Sequence, residues 1–239
     1  MRFTKSVLAV ATAFLFVASL RAQTPAPAQA PAQPKAAASE YDRTLLKPAL
    51  LKEKAPDTFQ VKFETTRGDF TMDVTRAWAP NGVDRFYNLV RHHFYDNIVI
   101  FRVVPNFVVQ FGISSYPPVN AAWRGETIQD DPVLQSNKRG YVTFAMAGPN
   151  TRTTQLFISF KDNSRLDAMG FAPFATVNKE GMKVVDKFYD QYADAPTEEQ
   201  GAIQTQGKAF LDKKYPKLDV INHATIVGPA AAAPAASKP

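Results

Sequence analysis

Two short runs of alternating residues constrain this chain more than any other stretch. Phe59, Val61 and Phe63 alternate with polar neighbours, Phe70, Met72 and Val74 do the same, and Thr66-Arg67-Gly68-Asp69 lies between them. A period of two places each run's apolar side chains on one face, and glycine inside a polar break is turn chemistry, so the segment predicts a β-hairpin with one buried face. A lone hairpin is marginal in water and needs further strands or a helix to cover it. The chain offers such strands at 98–104 and 107–111, split by Pro105-Asn106, and at 141–147, 156–160, 174–177 and 223–227.

Two helices fit between them. Pro80 and Asn81 open one in which Val83, Phe86, Tyr87 and Val90 share a face, closing near His92, and a second is predicted over 182–192. Residues 39–56, with Tyr41, Leu45, Leu46, Leu50 and Leu51 interrupted by Pro48, read as a short broken helix on the outside of the domain. Residues 193–217 are polar, broken by Gln-Gly and by proline, and match none of the elements expected of the core. Many short strands with two helices predict a mainly β fold, a closed antiparallel barrel whose ends the helices cap.

The ends of the chain differ in kind. Arg2 and Lys5 precede an apolar run over 7–20, followed by Ser19-Leu20-Arg21-Ala22. That order is a secretory signal cut after Ala22, and the run falls short of the roughly 18 apolar residues that a membrane span needs. The expected organisation is a signal over 1–22, an Ala/Pro/Gln-rich linker over 23–38, an extension over 39–58, a folded domain over 59–227 and a disordered tail over 228–239. At 239 residues with 45% hydrophobic content, one domain with tails suffices. Export to the periplasm or the exterior is the expected destination, without stable membrane insertion once the signal is cut.

Several chemistries lack their residues. There is no cysteine, hence no disulfide framework and no thiol nucleophile. Removing Arg2, Lys5 and Arg21 from the 28 basic residues leaves 25 against 22 acidic, a balance of +3 that demands no nucleic acid. His92, His93 and His223 are the only histidines, and the adjacent pair at a helix end should diverge, so no metal is expected. Gly148-Pro149-Asn150 is a turn and no phosphate loop; Thr153, Thr154 and Ser159 have no recognisable His-carboxylate partner.

Two longer blocks say more. Residues 100–112 read Ile-Phe-Arg-Val-Val-Pro-Asn-Phe-Val-Val-Gln-Phe-Gly, and residues 144–158 read Phe-Ala-Met-Ala-Gly-Pro-Asn-Thr-Arg-Thr-Thr-Gln-Leu-Phe-Ile. In this order, about forty residues apart, they resemble the two signature blocks of the cyclophilins, and the resemblance extends more weakly over 59–227. It implies an eight-stranded barrel capped by two α-helices and a peptidyl-prolyl cis-trans isomerase that acts without a cofactor, as a monomer, on proline-containing segments of exported proteins. Arg102 would be the donor to the imide nitrogen and Gln110 would bond the substrate backbone. Phe107, Val108, Phe157, Leu166 and Phe171 would surround the proline ring, and the backbone groups of Ala145 and Met146 would pair with the extended peptide. The alternative is a non-catalytic module of the cell envelope that clamps proline-containing peptides in the same groove.

The blocks also depart from the family. Phe101 stands where the better-known members have histidine, Asn106 where they have glycine, Arg165 where a tryptophan often precedes Leu-Asp, and Phe171 in place of a pocket histidine. The first departure removes a group that could steady Gln110, and the third implies weak cyclosporin binding.

Overall fold

The computed structural model describes residues 40–228. The expected signal, the linker and all of the expected tail except Gly228 lie outside the described residues. The hairpin stands where the alternation put it: β1 (Thr58–Thr65) and β2 (Gly68–Thr75) pair antiparallel in register from Thr58 opposite Thr75 to Thr65 opposite Gly68. Phe59, Val61, Phe63, Phe70, Met72 and Val74 all enter the main core, where burying each large side chain contributes about 1.5–3 kcal/mol.

The remaining strands are β3 (Ile98–Val99), β4 (Arg102–Val104), β5 (Val108–Phe111), β6 (Tyr141–Phe144), β7 (Leu156–Ser159), β8 (Pro173–Val177) and β9 (Val220–Gly228). They form one antiparallel sheet in the order β3-β9-β1-β2-β8-β6-β7-β5-β4. This corrects the expectation of a closed eight-stranded barrel: the described residues hold nine strands, and their hydrogen-bonded order has two ends. The physical reason lies in the run expected as one strand over 98–104. Its first part pairs with β9 and its last part with β5, while Ile100 turns its N–H to the Asp219 carbonyl at 2.9 Å. The two edges of the sheet are therefore successive pieces of chain two residues apart, and the sheet curls to bring them together.

Among the described residues five α-helices stand where two were expected: α1 (Pro80–Arg91), α2 (Pro117–Trp123), α3 (Lys179–Val185), α4 (Gln200–Gln206) and α5 (Lys208–Lys214). In α1, Gly82, Val83, Phe86, Leu89 and Val90 form the buried face. Its first turn is capped from a distant loop: the buried Asp131 carboxylate accepts from the N–H groups of Asn81 and Gly82 at 2.9 and 2.8 Å. The helix expected over 182–192 starts earlier and is shorter, with Asn178 accepting from the Gly181 N–H at its N-cap. Residues 40–56 hold two 3-10 turns instead of an outer helix, and Leu45 is buried in the main core, its carbonyl accepting from the Trp123 indole at 2.9 Å.

The largest addition is the stretch that matched nothing. After a 3-10 turn at Ala195–Glu199 it folds as α4 and α5, separated by Gly207 at φ 67°. A Cβ there would come within 2.1 Å of the Ser115 carbonyl oxygen, so only glycine fits. Ile203, Leu211 and Tyr215 from this stretch bury themselves against Val99, Phe101 and Ile113, forming a second small core beside the β3 and β4 edges. Among the described residues no helix is long and apolar enough to cross a membrane.

Candidate active site

The β4–β5 hairpin sorts its side chains by alternation. Val103, Val109 and Phe111 point into the main core, which leaves Arg102, Val108 and Gln110 on the opposite face, with Arg102 directly across from Gln110. The turn between them puts Pro105 second and Asn106 third, and the Phe107 N–H closes on the Val104 carbonyl at 3.0 Å. Asn106 has φ 59°, a conformation that glycine takes freely and asparagine tolerates best among the others. The substitution noted from sequence is thus compatible with the turn. On β7 the same rule sends Leu156 and Ile158 inward and presents Phe157 opposite Gln110.

Outside the main core, Val108, Phe157 and Leu166 form a separate buried apolar cluster, with Phe107, Ala145 and Phe171 packed on it half-buried. Phe157 and Phe171 meet edge to face with centroids 5.6 Å apart. Of the seven residues expected to contact substrate, six come together here. Met146 is absent from the cluster, although its Cε would lie 3.4 Å from a Cβ placed on Gly170 at the end of the adjoining loop. The backbone expectation needs one correction: the Ala145 N–H already donates to the Gln155 carbonyl at 2.9 Å and is not open to a peptide.

The loop carrying Leu166 is held by a polar knot around the fully buried Asn137. Asn137 donates through Nδ2 to Asp167 Oδ1 and to the Phe171 carbonyl, at 2.7 and 2.8 Å, and accepts from Thr143 Oγ1 at 2.8 Å. Asn163 Nδ2 donates to the Phe107 carbonyl at 2.9 Å, tying the loop to the hairpin. At the loop's start, the Ser164 N–H holds the Asp162 carboxyl below the ordinary carboxylate range.

Beside the apolar cluster runs a row of hydrogen bonds. Arg102 Nη1 donates to Gln110 Oε1 at 3.0 Å, Gln110 Nε2 to Gln155 Oε1 at 2.9 Å, and Gln155 Nε2 to Gln200 Oε1 at 3.0 Å. Arg102 Nε donates to Asp194 Oδ1 at 2.5 Å, and Nη2 makes no hydrogen bond among the described residues. The guanidinium carbon of Arg102 sits 5.5 Å from the Phe107 ring centroid, and that of Arg165 sits 4.9 Å from the same ring. Gln155, Asp194, Gln200 and Asn137 were not singled out from sequence. Gln155 lay within the second block and was legible there, whereas the other three become neighbours of the site only through folding. The histidines sit elsewhere: His92 bonds Asp42 at 2.7 Å, while His93 and His223 both face Asp96 at 3.2 Å.

An apolar cluster beside a guanidinium whose Nη2 makes no hydrogen bond among the described residues suits a neutral ring next to a developing lone pair, with no nucleophile required. The family model described as cyclophilin type peptidyl-prolyl cis-trans isomerase/CLD matches residues 60–209. The chain belongs to the cyclophilin-type peptidyl-prolyl cis-trans isomerase family. It is 32% identical over 130 residues to the peptidyl-prolyl cis-trans isomerase-like 1 of Aspergillus niger, covering 53% of this chain and 79% of that protein. It is likewise 32% identical over 155 residues to a peptidyl-prolyl cis-trans isomerase of Acinetobacter baylyi, covering 62% of this chain and 79% of that one. A crystal structure of a Cryptosporidium parvum cyclophilin type isomerase shares the fold with a TM-score of 0.52 at 18% identity, covering 71% of this chain and 98% of its own. The same Cryptosporidium protein crystallised in the presence of the dipeptide Ala-Pro gives a TM-score of 0.51.

Proposed function

We propose that this isomerase accelerates X-Pro rotation in exported proteins, with Arg102 as the catalytic donor. Rotation about the peptide bond meets a barrier of about 18–20 kcal/mol because the nitrogen lone pair is delocalised, and the two X-Pro isomers differ by only about 0.5–1 kcal/mol. The enzyme must therefore bind the twisted amide better than either planar form. Phe107, Val108, Phe157, Leu166 and Phe171 hold the ring, and the free Nη2 of Arg102 donates to the nitrogen as its lone pair localises. Gln110, the Ala145 carbonyl and the backbone of Met146 meet the peptide chain on either side. The observation that carries this reading is the guanidinium fixed through two of its three nitrogens within 5.5 Å of the ring that walls the pocket.

The charged, apolar and small-residue order over 1–22 supports export and cleavage, and hence unfolded or folding exported chains as clients of a monomeric enzyme in the periplasm or outside the cell. Mature protein purified from its compartment should begin after Ala22 by mass spectrometry. It should speed isomerisation of a proline tetrapeptide, and the absence of acceleration would leave a peptide clamp as the function.

A further inference from the structure

The hydrogen-bonded row that passes through Arg102 begins and ends on one short piece of chain. Asp194 stands at its head and Gln200 at its foot, on either side of the 3-10 turn at Ala195–Glu199, while Arg102, Gln110 and Gln155 come from β4, β5 and the entry to β7. The direction of the row is fixed by chemistry. Arginine only donates, so Gln110 must turn its oxygen towards Arg102 and its amide nitrogen away, and Gln155 must do the same in turn. Each bond polarises the next.

We propose that Asp194 is a positioning residue for the isomerisation, holding the Arg102 guanidinium from outside while Gln110 holds it from within. The inference rests on Arg102 being the catalytic donor. Nε and Nη1 are both engaged, and two bonds to one planar group fix its rotation and leave Nη2 as the donor for the imide. The contact is not a stabilising device in its own right. The Asp194 side chain is 55% exposed and that of Arg102 21%, and an ion pair this wet adds little to stability. Water at the carboxylate also limits how far its charge weakens the donor. What remains is orientation, which matters most in the transition state, where a misplacement of about 1 Å can cost a hundredfold. The inserted stretch is able to serve as a fixed mount because Ile203, Leu211 and Tyr215 anchor it in the second core.

The test compares wild type, Asp194→Asn, Asp194→Ala, Asp194→Glu and Arg102→Ala in proline isomerisation of a tetrapeptide, with kcat and KM separated and thermal unfolding as a folding control. Because Asp194 is exposed, its variants keep the wild-type melting temperature. The expected result is a kcat reduced about tenfold in Asp194→Ala, a smaller reduction in Asp194→Asn, which keeps an oxygen acceptor, partial recovery in Asp194→Glu, and KM within twofold throughout. An unchanged or raised kcat in Asp194→Ala, or a change in KM alone, overturns the proposal while Arg102→Ala remains inactive. If Arg102→Ala itself retains full activity, the assignment of Arg102 is what has failed, and the role of Asp194 falls with it.

Discussion

The role proposed for Arg102 separates catalysis from binding at the scale of a single side chain. A planar substrate nitrogen is a poor acceptor, so in that role the guanidinium would gain its partner mainly as the amide twists. Arg102→Ala is expected to lower turnover by about a hundred- to a thousandfold, the usual cost of one preorganised donor, while peptide affinity falls far less. Phe107→Ala should weaken both, since its ring walls the pocket in every state. Rate and peptide-binding measurements on the two variants check the contrast. Arg165 offers a second residue-scale expectation. Its guanidinium covers the Phe107 ring at 4.9 Å, where the family resemblance places an indole. Cyclosporin should bind weakly to the wild type and more tightly to Arg165→Trp in titration calorimetry; equal affinities would mean that the loop aligns differently. Arg102, Phe107, Val108, Gln110 and Phe157 were legible as candidates because the two blocks carry them, whereas Leu166 and Phe171 lie outside the blocks and rested on a thinner resemblance. The Ala145 amide was misjudged because its hydrogen bond to Gln155 belongs to strand pairing that no local pattern records.

At the scale of elements, the pocket loop and the inserted helices depend on single polar anchors. Asn137 serves two loops and a strand at once from a fully buried position. Asn137→Ala strands the Thr143 hydroxyl and the Phe171 carbonyl, and each buried group left unpaired costs about 1–3 kcal/mol; denaturant unfolding should show a loss of at least that size, together with a raised KM. The inserted helices carry a different signature. Burial first, and then Glu199 accepting the phenol proton at 2.6 Å, push Tyr215 up to about 12. A phenol raised from its ordinary value near 10 contributes stability that is fully present below about pH 10 and is lost as pH climbs to about 12, because the unfolded chain gives up the proton first. The melting temperature should fall across that window, and Tyr215→Phe should flatten the fall. These helices were hidden from sequence because each is only two turns long, and their apolar residues, Ile203, Phe210 and Leu211, are too few for a periodic face. The strands β1 and β2 were visible because alternation needs only a handful of residues. The break between β3 and β4 was not, since Ile98 to Val104 is apolar throughout its first four residues and pairing partners are not written in it.

For the whole molecule, the question is what joins the main sheet to the inserted helices, and Phe101 is the residue that answers it. It lies at the break between β3 and β4, fully buried, and packs with Val99 and Ile113 from the sheet side against Ile203, Leu211 and Tyr215. Phenylalanine suits this position better than the histidine that the resemblance places there: an imidazole would enter an apolar cluster, and burying an unpartnered polar group is costly. Phe101→Ala should cost about 3–5 kcal/mol, a large share of the roughly 5–15 kcal/mol that holds a domain folded. Phe101→Leu, which leaves a smaller void, should cost less and allow the native state to be studied. In that variant the amides of α4 and α5 should exchange faster than those of β1 and β2, because the second core loosens before the main one. Turnover should drop alongside, since Asp194 and Gln200 reach the proposed catalytic row only while that stretch stays seated. Hydrogen exchange and rate measurements on Phe101→Leu decide the matter: uniform exchange with full turnover would mean that the inserted helices dock on the sheet independently of this ring.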